Sequence, residues 1–351
     1  MDSVGLLVFL LIFALILWFA HQAEKARTQE NETSIFAIFA YSAVVLFQFG
    51  LFLAGIGAQM AGVALTGQNS AEIPALPGFE TFDINAVNFT LIGVGLWVPA
   101  LIGLFVLLPP VRRLLARLIP IEAPNHVHAV ALSLATMAVP NMLVTVGIGL
   151  ENLAGSLGDT LDAAALIQTT WVQNIGFFII GLFGAGWLSK RSLPDVLKRL
   201  KLEPISLREI SLGMVYAIGL LLLMGGVLAV AEAAGLGNPT VDALSDELYG
   251  PFFESIWGIL TIGLAAALGE EAIFRGGMQP KFGRLLTSFI FAIVHGNYGF
   301  SIVTVAIFFV GYALGVIRDR HNTTTSMVTH AAFNSVQALV AFLAIQYGIG
   351  V

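Results

Sequence analysis

Six polar side chains lie in the most apolar third of this sequence, at spacings that repeat the turn of a helix. They are Glu270, Glu271, Arg275, His295, His330 and Asn334. A carboxylate or imidazole inside a bilayer is energetically costly unless it has a partner, so ionisable residues in membrane segments are candidates for function. Together these residue types suggest chemistry on water within a membrane.

The two adjacent glutamates cannot share one role. Neighbouring residues on a helix point about 100° apart, whereas residues four apart lie on one face. Glu271 is therefore placed to pair with Arg275, and Glu270 points elsewhere and stays free. A free carboxylate in an apolar site can act as a general base.

The histidines and the asparagine complete a hydrolytic set. Glu270 with one or both histidines could activate water directly, or Glu270, His295 and His330 could bind a metal such as zinc that activates it. His330 and Asn334 share a helix face and can donate hydrogen bonds to a developing oxyanion. The set indicates amide hydrolysis without a covalent intermediate, and the sequence has no His-Glu-x-x-His, Gly-x-Ser-x-Gly or P-loop motif.

The composition places this set in a membrane. Of 351 residues, 57% are hydrophobic, 11% are charged and none is cysteine. Such a composition is typical of an all-α, polytopic membrane protein. The apolar runs predict about ten transmembrane segments, at 4–20, 35–57, 89–108, 127–150, 163–188, 211–231, 252–272, 285–296, 301–317 and 324–347.

One of these segments is too short to cross a bilayer. Only about 11 residues separate Arg284 from His295, which is about 16 Å of helix. The hydrocarbon core is about 30 Å thick. We therefore expect a half-span that borders a wet cavity near His295.

The charge distribution predicts the orientation. With the N-terminus outside, all 16 lysines and arginines fall on one side, which the positive-inside rule makes cytoplasmic. The opposite loops contain only acids, namely Glu72, Glu80, Asp83, Glu151, Asp159, Asp162, Glu232, Asp242, Asp246 and Glu247. Glu270, His295 and His330 each lie within about 16 Å of the basic side, so we expect a site open to the cytoplasm.

The basic stretch 190–210 divides the chain. Residues 1–189 form an N-terminal membrane region of about five spans with almost no buried ionisable residue. Residues 190–210 are expected to form an amphipathic cytoplasmic connector whose leucines lie on the membrane interface. Residues 211–351 form the core, with the motifs between 270 and 334.

The ordered motifs resemble the CPBP family of intramembrane proteases, also called the CAAX protease, bacteriocin-processing or Abi family. The family pattern is Glu-Glu-x-x-x-Arg, then Phe-x-x-x-His, then His-x-x-x-Asn/Asp, and it is complete here at 270–275, 291–295 and 330–334. Gly276 and the helix 308–315 also look like the family. The resemblance covers about residues 250–345.

The resemblance implies a glutamic-type protease. Glu270 with His295 would activate water, His330 with Asn334 would form the oxyanion hole, and Glu271 with Arg275 would brace the site. No cofactor is expected, although the family was long described as metal-dependent. We expect a multi-pass protein of a prokaryotic cell membrane, whose substrate is a membrane-embedded or lipidated peptide or protein and not a nucleic acid.

Two other functions fit the sequence. The chain could be a non-catalytic immunity or scaffold member of the same family. It could also be a proton-coupled transporter, although transporters often show repeated halves, and here the candidate residues all lie in one half.

Overall fold

The computed structural model describes residues 3–29, 34–65, 83–157 and 162–348. Within these ranges the protein is all-α, with helices joined by short turns and no β-strand. The helices are α1 (Ser3–Thr28), α2 (Ile35–Leu65), α3 (Phe89–Phe105), α4 (Pro109–Leu115), α5 (His126–Ala135), α6 (Ala138–Ile148), α7 (Leu150–Leu157), α8 (Ala163–Gly184), α9 (Leu193–Arg199), α10 (Leu207–Ala233), α11 (Pro239–Tyr249), α12 (Ile256–Glu270), α13 (Gln279–Ile293), α14 (Ile302–Arg320) and α15 (Thr323–Tyr347).

Eight helical stretches in the described residues are long and apolar enough to cross a membrane, and a ninth is possible if α3 and α4, bent by 95°, form one span. The sequence predicts about ten because it separates 252–272 from 285–296. In the structure these two segments belong to one helical stretch, Ile256–Ile293. Three of the acids assigned to outer loops, Glu72, Glu80 and Asp159, lie outside the described residues.

The stretch from α12 to α13 is continuous in hydrogen bonding but not in geometry. A π-helix, Glu271–Met278, joins the two α-helices. Gly283 then interrupts α13 with φ 76° and ψ 166°, a conformation open mainly to glycine. Residues 284–293 are left as a segment of about 15 Å, which matches the short segment expected before His295.

Helix α12 is embedded in the bundle between α8 and α15. At Gly269 a Cβ atom would lie 2.5 Å from the carbonyl oxygen of Asn174 on α8, so only glycine permits this approach. The Trp171 indole also donates to Thr261 Oγ1 over 3.0 Å between the same two helices. The N-terminal region therefore packs directly against the helix that ends in Glu270.

The connector 190–210 differs from its expected form. Val196 and Leu200 are fully buried and pack against Leu182 and Ala185 at the end of α8, so these side chains contact protein and not the membrane interface. Thr323 Oγ1 donates to the Leu200 carbonyl oxygen over 2.6 Å. The connector thus joins α8 to the start of α15, because its apolar face has a protein partner.

The expectation that the first five spans contain almost no buried ionisable residue is wrong. His21, Glu24, Arg112 and His128 are all less than one tenth exposed. Helix α1 continues to Thr28, so His21 lies within it and not at its edge. Each of these side chains has a hydrogen-bond partner from another part of the N-terminal region or from its own helix, which offsets the cost of burial.

Candidate active site

Glu271 connects the π-helix to α15. Its side chain is completely buried, and its Oε1 atom lies 3.0 Å from His330 Nδ1. Its Oε2 atom accepts a hydrogen bond from Ser326 Oγ over 2.5 Å and lies 3.4 Å from Arg275 Nε. The helical spacing predicts the contact with Arg275, but the two contacts with α15 could not be read from the sequence.

Arg275 is fully buried and is held mainly by charge and by aromatic rings. Its guanidinium carbon lies 4.5 Å from the centre of the Phe291 ring and 6.0 Å from that of Phe274. None of its nitrogens makes a hydrogen bond to another described residue. A cation over an aromatic face is stabilised by the ring quadrupole, so Phe291 and Glu271 share the task of compensating this charge.

Glu270 faces His295. The Oε2 atom of Glu270 lies 4.0 Å from His295 Nε2, and it is buried without a hydrogen-bond partner among the described residues. Nδ1 of His295 lies 2.7 Å from the carbonyl oxygen of Phe291. A carbonyl only accepts, so Nδ1 carries the hydrogen and Nε2 is the nitrogen left toward Glu270.

His330 and Asn334 lie on one face of α15, as their spacing predicts. A carboxylate only accepts, so the contact with Glu271 places a hydrogen on His330 Nδ1 and leaves Nε2 for another partner. Asn334 Nδ2 donates to the Ile262 carbonyl oxygen over 3.2 Å, which joins α15 to α12. An amide nitrogen has two hydrogens, so one donor of Asn334 is not used by this bond.

Two tyrosines that the sequence analysis did not select border His295. The Tyr298 ring stacks on His295 with centroids 6.5 Å apart and on Tyr249 with centroids 6.3 Å apart. Asn297 Nδ2 donates to the Tyr249 hydroxyl over 3.2 Å. Burial is the main cause that raises the pKa of both phenols, so they stay protonated and able to donate near neutral pH.

The N-terminal region also holds the loop that carries His295. Asn141 on α6 donates its Nδ2 hydrogen to the Val294 carbonyl oxygen over 2.8 Å. A Cβ atom at Gly296 would lie 2.9 Å from Met142 Cα. Helix α6 therefore fixes the backbone on both sides of His295.

The candidate metal ligands are spaced apart in the described residues. In the part of the chain that the structure describes, no three His, Cys, Asp or Glu side chains are grouped as metal ligands. This holds for Glu270, His295 and His330, the alternative ligand set. In each histidine Nδ1 is engaged, in His295 by a backbone carbonyl and in His330 by Glu271, and Nε2 is the ring nitrogen left for another partner.

The structure thus brings five of the six selected residues together in two adjoining groups. Glu270 and His295 form one, and Glu271, Arg275 and His330 form the other, with Phe291 in ring contact with both histidines. Asn334 belongs to the face of His330. Ser326, Tyr249 and Tyr298 were missed; only Tyr298, three residues after His295, lies close enough in sequence to have been suspected.

A family model supports the same region. Residues 252–336 match the model described as Rce1-like, type II CAAX prenyl endopeptidase Rce1-like. The match covers about a quarter of the chain and contains all six selected residues. No curated protein and no solved structure matches the chain. The segment 252–336 is therefore similar to the CPBP family of CAAX proteases, a family whose matching model is described as an endopeptidase.

Proposed function

We propose that this protein is an intramembrane endopeptidase that hydrolyses a peptide bond of a membrane-associated peptide or protein with water activated by Glu270 and His295. One observation carries the proposal. Glu270 Oε2 and His295 Nε2 face each other at 4.0 Å, too far for a direct hydrogen bond and suitable for a water that contacts both.

The reaction proceeds by general-base catalysis. Glu270 takes a proton from the water while His295 Nε2 orients it, and the water oxygen attacks the carbonyl carbon of the scissile bond. The carbonyl π electrons move to the oxygen to give a tetrahedral oxyanion. The C–N bond then breaks as the proton passes from Glu270 to the leaving nitrogen. One water is consumed, and a carboxylic acid and an amine are released.

His330 and Asn334 stabilise the oxyanion. Nδ1–H of His330 is committed to Glu271, so donation to the oxyanion uses Nε2–H of a doubly protonated ring. The Glu271 carboxylate faces that ring through Oε1 and faces Arg275 and Ser326 through Oε2, so its charge is shared between His330 and Arg275. Asn334 contributes the amide hydrogen that the Ile262 carbonyl does not use.

The substrate is proposed to be membrane-embedded or lipidated. Candidate membrane-spanning helices surround the site: α12 and α15 contribute side chains to it, α14 packs beside Phe291 and Arg275, and α8 packs against α12. A scissile bond must therefore enter from the bilayer or its surface. The description of the matching family names a prenyl endopeptidase of CAAX substrates. A preference for prenylated substrates in this chain is part of the proposal.

The test uses the full chain reconstituted in vesicles with a library of membrane-anchored peptides, and products are read by mass spectrometry. Glu270→Gln should lower turnover by about 10²–10⁴-fold. The matched control is Glu254→Gln, the same change at an exposed position before α12, and it should keep full activity. Absence of cleavage by the wild-type protein with every anchored or lipidated peptide would favour the non-catalytic alternative.

A further inference from the structure

A cavity of about 1040 Å³ lies between the N-terminal region, the connector and the π-helix, and none of the six selected residues lines it. Its walls come from α1, α5, α8, the connector and the face of the π-helix that carries Ile273 and Gly277. Pockets for small molecules generally have volumes of about 300–1,000 Å³. The cavity is therefore large enough for a ligand with a long apolar part.

The wall of this cavity changes from apolar to basic along its length. The apolar part is lined by Phe9, Leu10, Phe13, Phe177 and Ile180. The other end is lined by Lys25, Lys190, Arg191, Arg199 and Lys281. From Phe9 to Lys25 helix α1 rises about 24 Å, close to the depth of one leaflet with its headgroups, which is about half of 40–45 Å.

The basic end lacks compensating anions. Lys25, Lys190, Arg191 and Arg199 form no salt bridge with another described residue. The two acids that also line this end are already engaged, since Glu24 pairs with Arg27 at 2.6 Å and Glu122 with Lys281 at 3.0 Å. Burial and the charge of Arg191 lower the pKa of Lys190 and of Arg199. A bound anion would relieve this repulsion.

A buried histidine marks the boundary between the two parts. His21 lines the cavity, is 3% exposed and is bonded through Nε2 to the Gly184 carbonyl oxygen. Because a carbonyl only accepts, Nε2 carries the hydrogen, and Nδ1 is an acceptor without a hydrogen-bond partner among the described residues. At Gly186, with φ 98°, a Cβ atom would lie 3.0 Å from Arg191 Nη1, 3.2 Å from Lys190 Cγ and 3.4 Å from His21 Cε1. The side chains of His21, Lys190 and Arg191 thus meet near the point where the polar part of an amphiphile would lie.

We propose that this cavity binds one anionic phospholipid, with its acyl chains among the phenylalanines of α1 and α8 and its phosphate between Lys190, Arg191 and Arg199. The basic end of the cavity favours an anionic headgroup, and its apolar part favours a molecule with long acyl chains. The basic side is the one predicted to be cytoplasmic, where anionic lipids concentrate in cell membranes. The lipid site contains none of the residues proposed for proteolysis, so a test of one proposal does not decide the other.

Native mass spectrometry of the full chain in uncharged detergent tests the proposal. Phosphatidylglycerol and phosphatidylcholine with identical chains serve as the probes. We expect one phosphatidylglycerol retained per chain in preference to phosphatidylcholine. The double variant Lys190→Gln, Arg199→Gln should weaken this binding by roughly 10- to 30-fold, from two basic contacts. The matched control, Arg113→Gln with Lys198→Gln, removes two exposed charges that do not line the cavity and should change binding less than twofold.

Two further experiments test the contribution of the acyl chains and of the headgroup separately. Ala135→Phe narrows the apolar part of the cavity and should weaken retention of the lipid. The melting temperature of this variant shows whether it is folded. Excess glycerol 3-phosphate should not displace the lipid. Equal retention of the two lipids, no loss in the charge variant, displacement by glycerol 3-phosphate, or preferential occupation by a lipidated peptide would each overturn the proposal.

Discussion

Glu270 and Glu271 are adjacent in sequence but have opposite surroundings. Glu271 has three polar partners, whereas Glu270 Oε2 has none among the described residues and faces His295. Glu270→Gln should therefore lower turnover by about 10²–10⁴-fold and leave the melting temperature almost unchanged. Glu271→Gln should destabilise the protein by about 3–5 kcal/mol, because it leaves Arg275 buried without its counter-charge. Thermal unfolding and turnover measured on both variants separate the roles.

The opposite pattern would contradict this assignment. A fully active Glu270→Gln together with a stable, inactive Glu271→Gln would make Glu271 the base. Glu254→Gln supplies the control for the chemical change itself, since Glu254 is exposed.

Asn334 tests the oxyanion assignment. Asn334→Ala should lower kcat by about 10²–10³-fold with little change in KM, because the lost hydrogen bond forms mainly in the transition state. The variant also loses the hydrogen bond from Asn334 to the Ile262 carbonyl oxygen, which can lower its stability. Its melting temperature is therefore measured together with its kinetics. A chelator should not reproduce the loss. One tightly bound zinc per chain, with activity lost on its removal and restored on its return, would replace this mechanism.

At the scale of elements, the sequence predicts the helices better than the contacts between them. Spacing of four residues is enough to place Glu271 near Arg275 and His330 beside Asn334, since these are local relations on one helix. The pairing of Glu271 with His330 joins residues 59 positions apart and depends on how α15 packs. The π-helix has no signal in hydrophobic periodicity, and it is often found at functional sites. The connector was expected to place its apolar face on the membrane, yet Val196 and Leu200 pack against protein. Periodicity reveals an apolar face but does not show whether protein or lipid covers it.

The brace from α6 gives a prediction about an element whose role the sequence leaves open. Gly296→Ala should force the His295 loop away from Met142, at a cost of about 1–3 kcal/mol for an overpacked contact, and reduce turnover. Asn141→Ala should have a smaller effect in the same direction, of about 1 kcal/mol for one hydrogen bond. Gly219→Ala is the matched control, because it has open space around it and lies within α10, where alanine favours the helix.

Activity assays at low temperature separate positioning from folding in these variants. A folded Gly296→Ala protein with unchanged kcat would show that α6 does not position His295.

At the scale of the whole molecule, residues of separate loops meet at one end of the bundle. Lys281 pairs with Glu122, and Arg284 lies 3.4 Å from Asp319. Basic residues of three sequence regions line one end of the same cavity. This agrees with a single basic side, as the charge pattern predicts. Tyr249 and Tyr298 belong to segments that the charge pattern places on the outer side, and they contact one another beside His295. The side of the membrane from which His295 is reached therefore needs a direct measurement.

Single cysteines in this cysteine-free chain measure the orientation. Lys198→Cys lies on the exposed surface of α9 and Asp242→Cys on that of α11. With the N-terminus outside, an impermeant thiol reagent should label position 242 in intact cells and position 198 only after the membrane is opened. Asn297→Cys, two residues after His295, reports the side from which the site is reached. We expect it to be protected from the outside and labelled from the cytoplasm. Labelling of position 198 in intact cells would reverse the topology, and outside labelling of position 297 would show that the site opens away from the basic side.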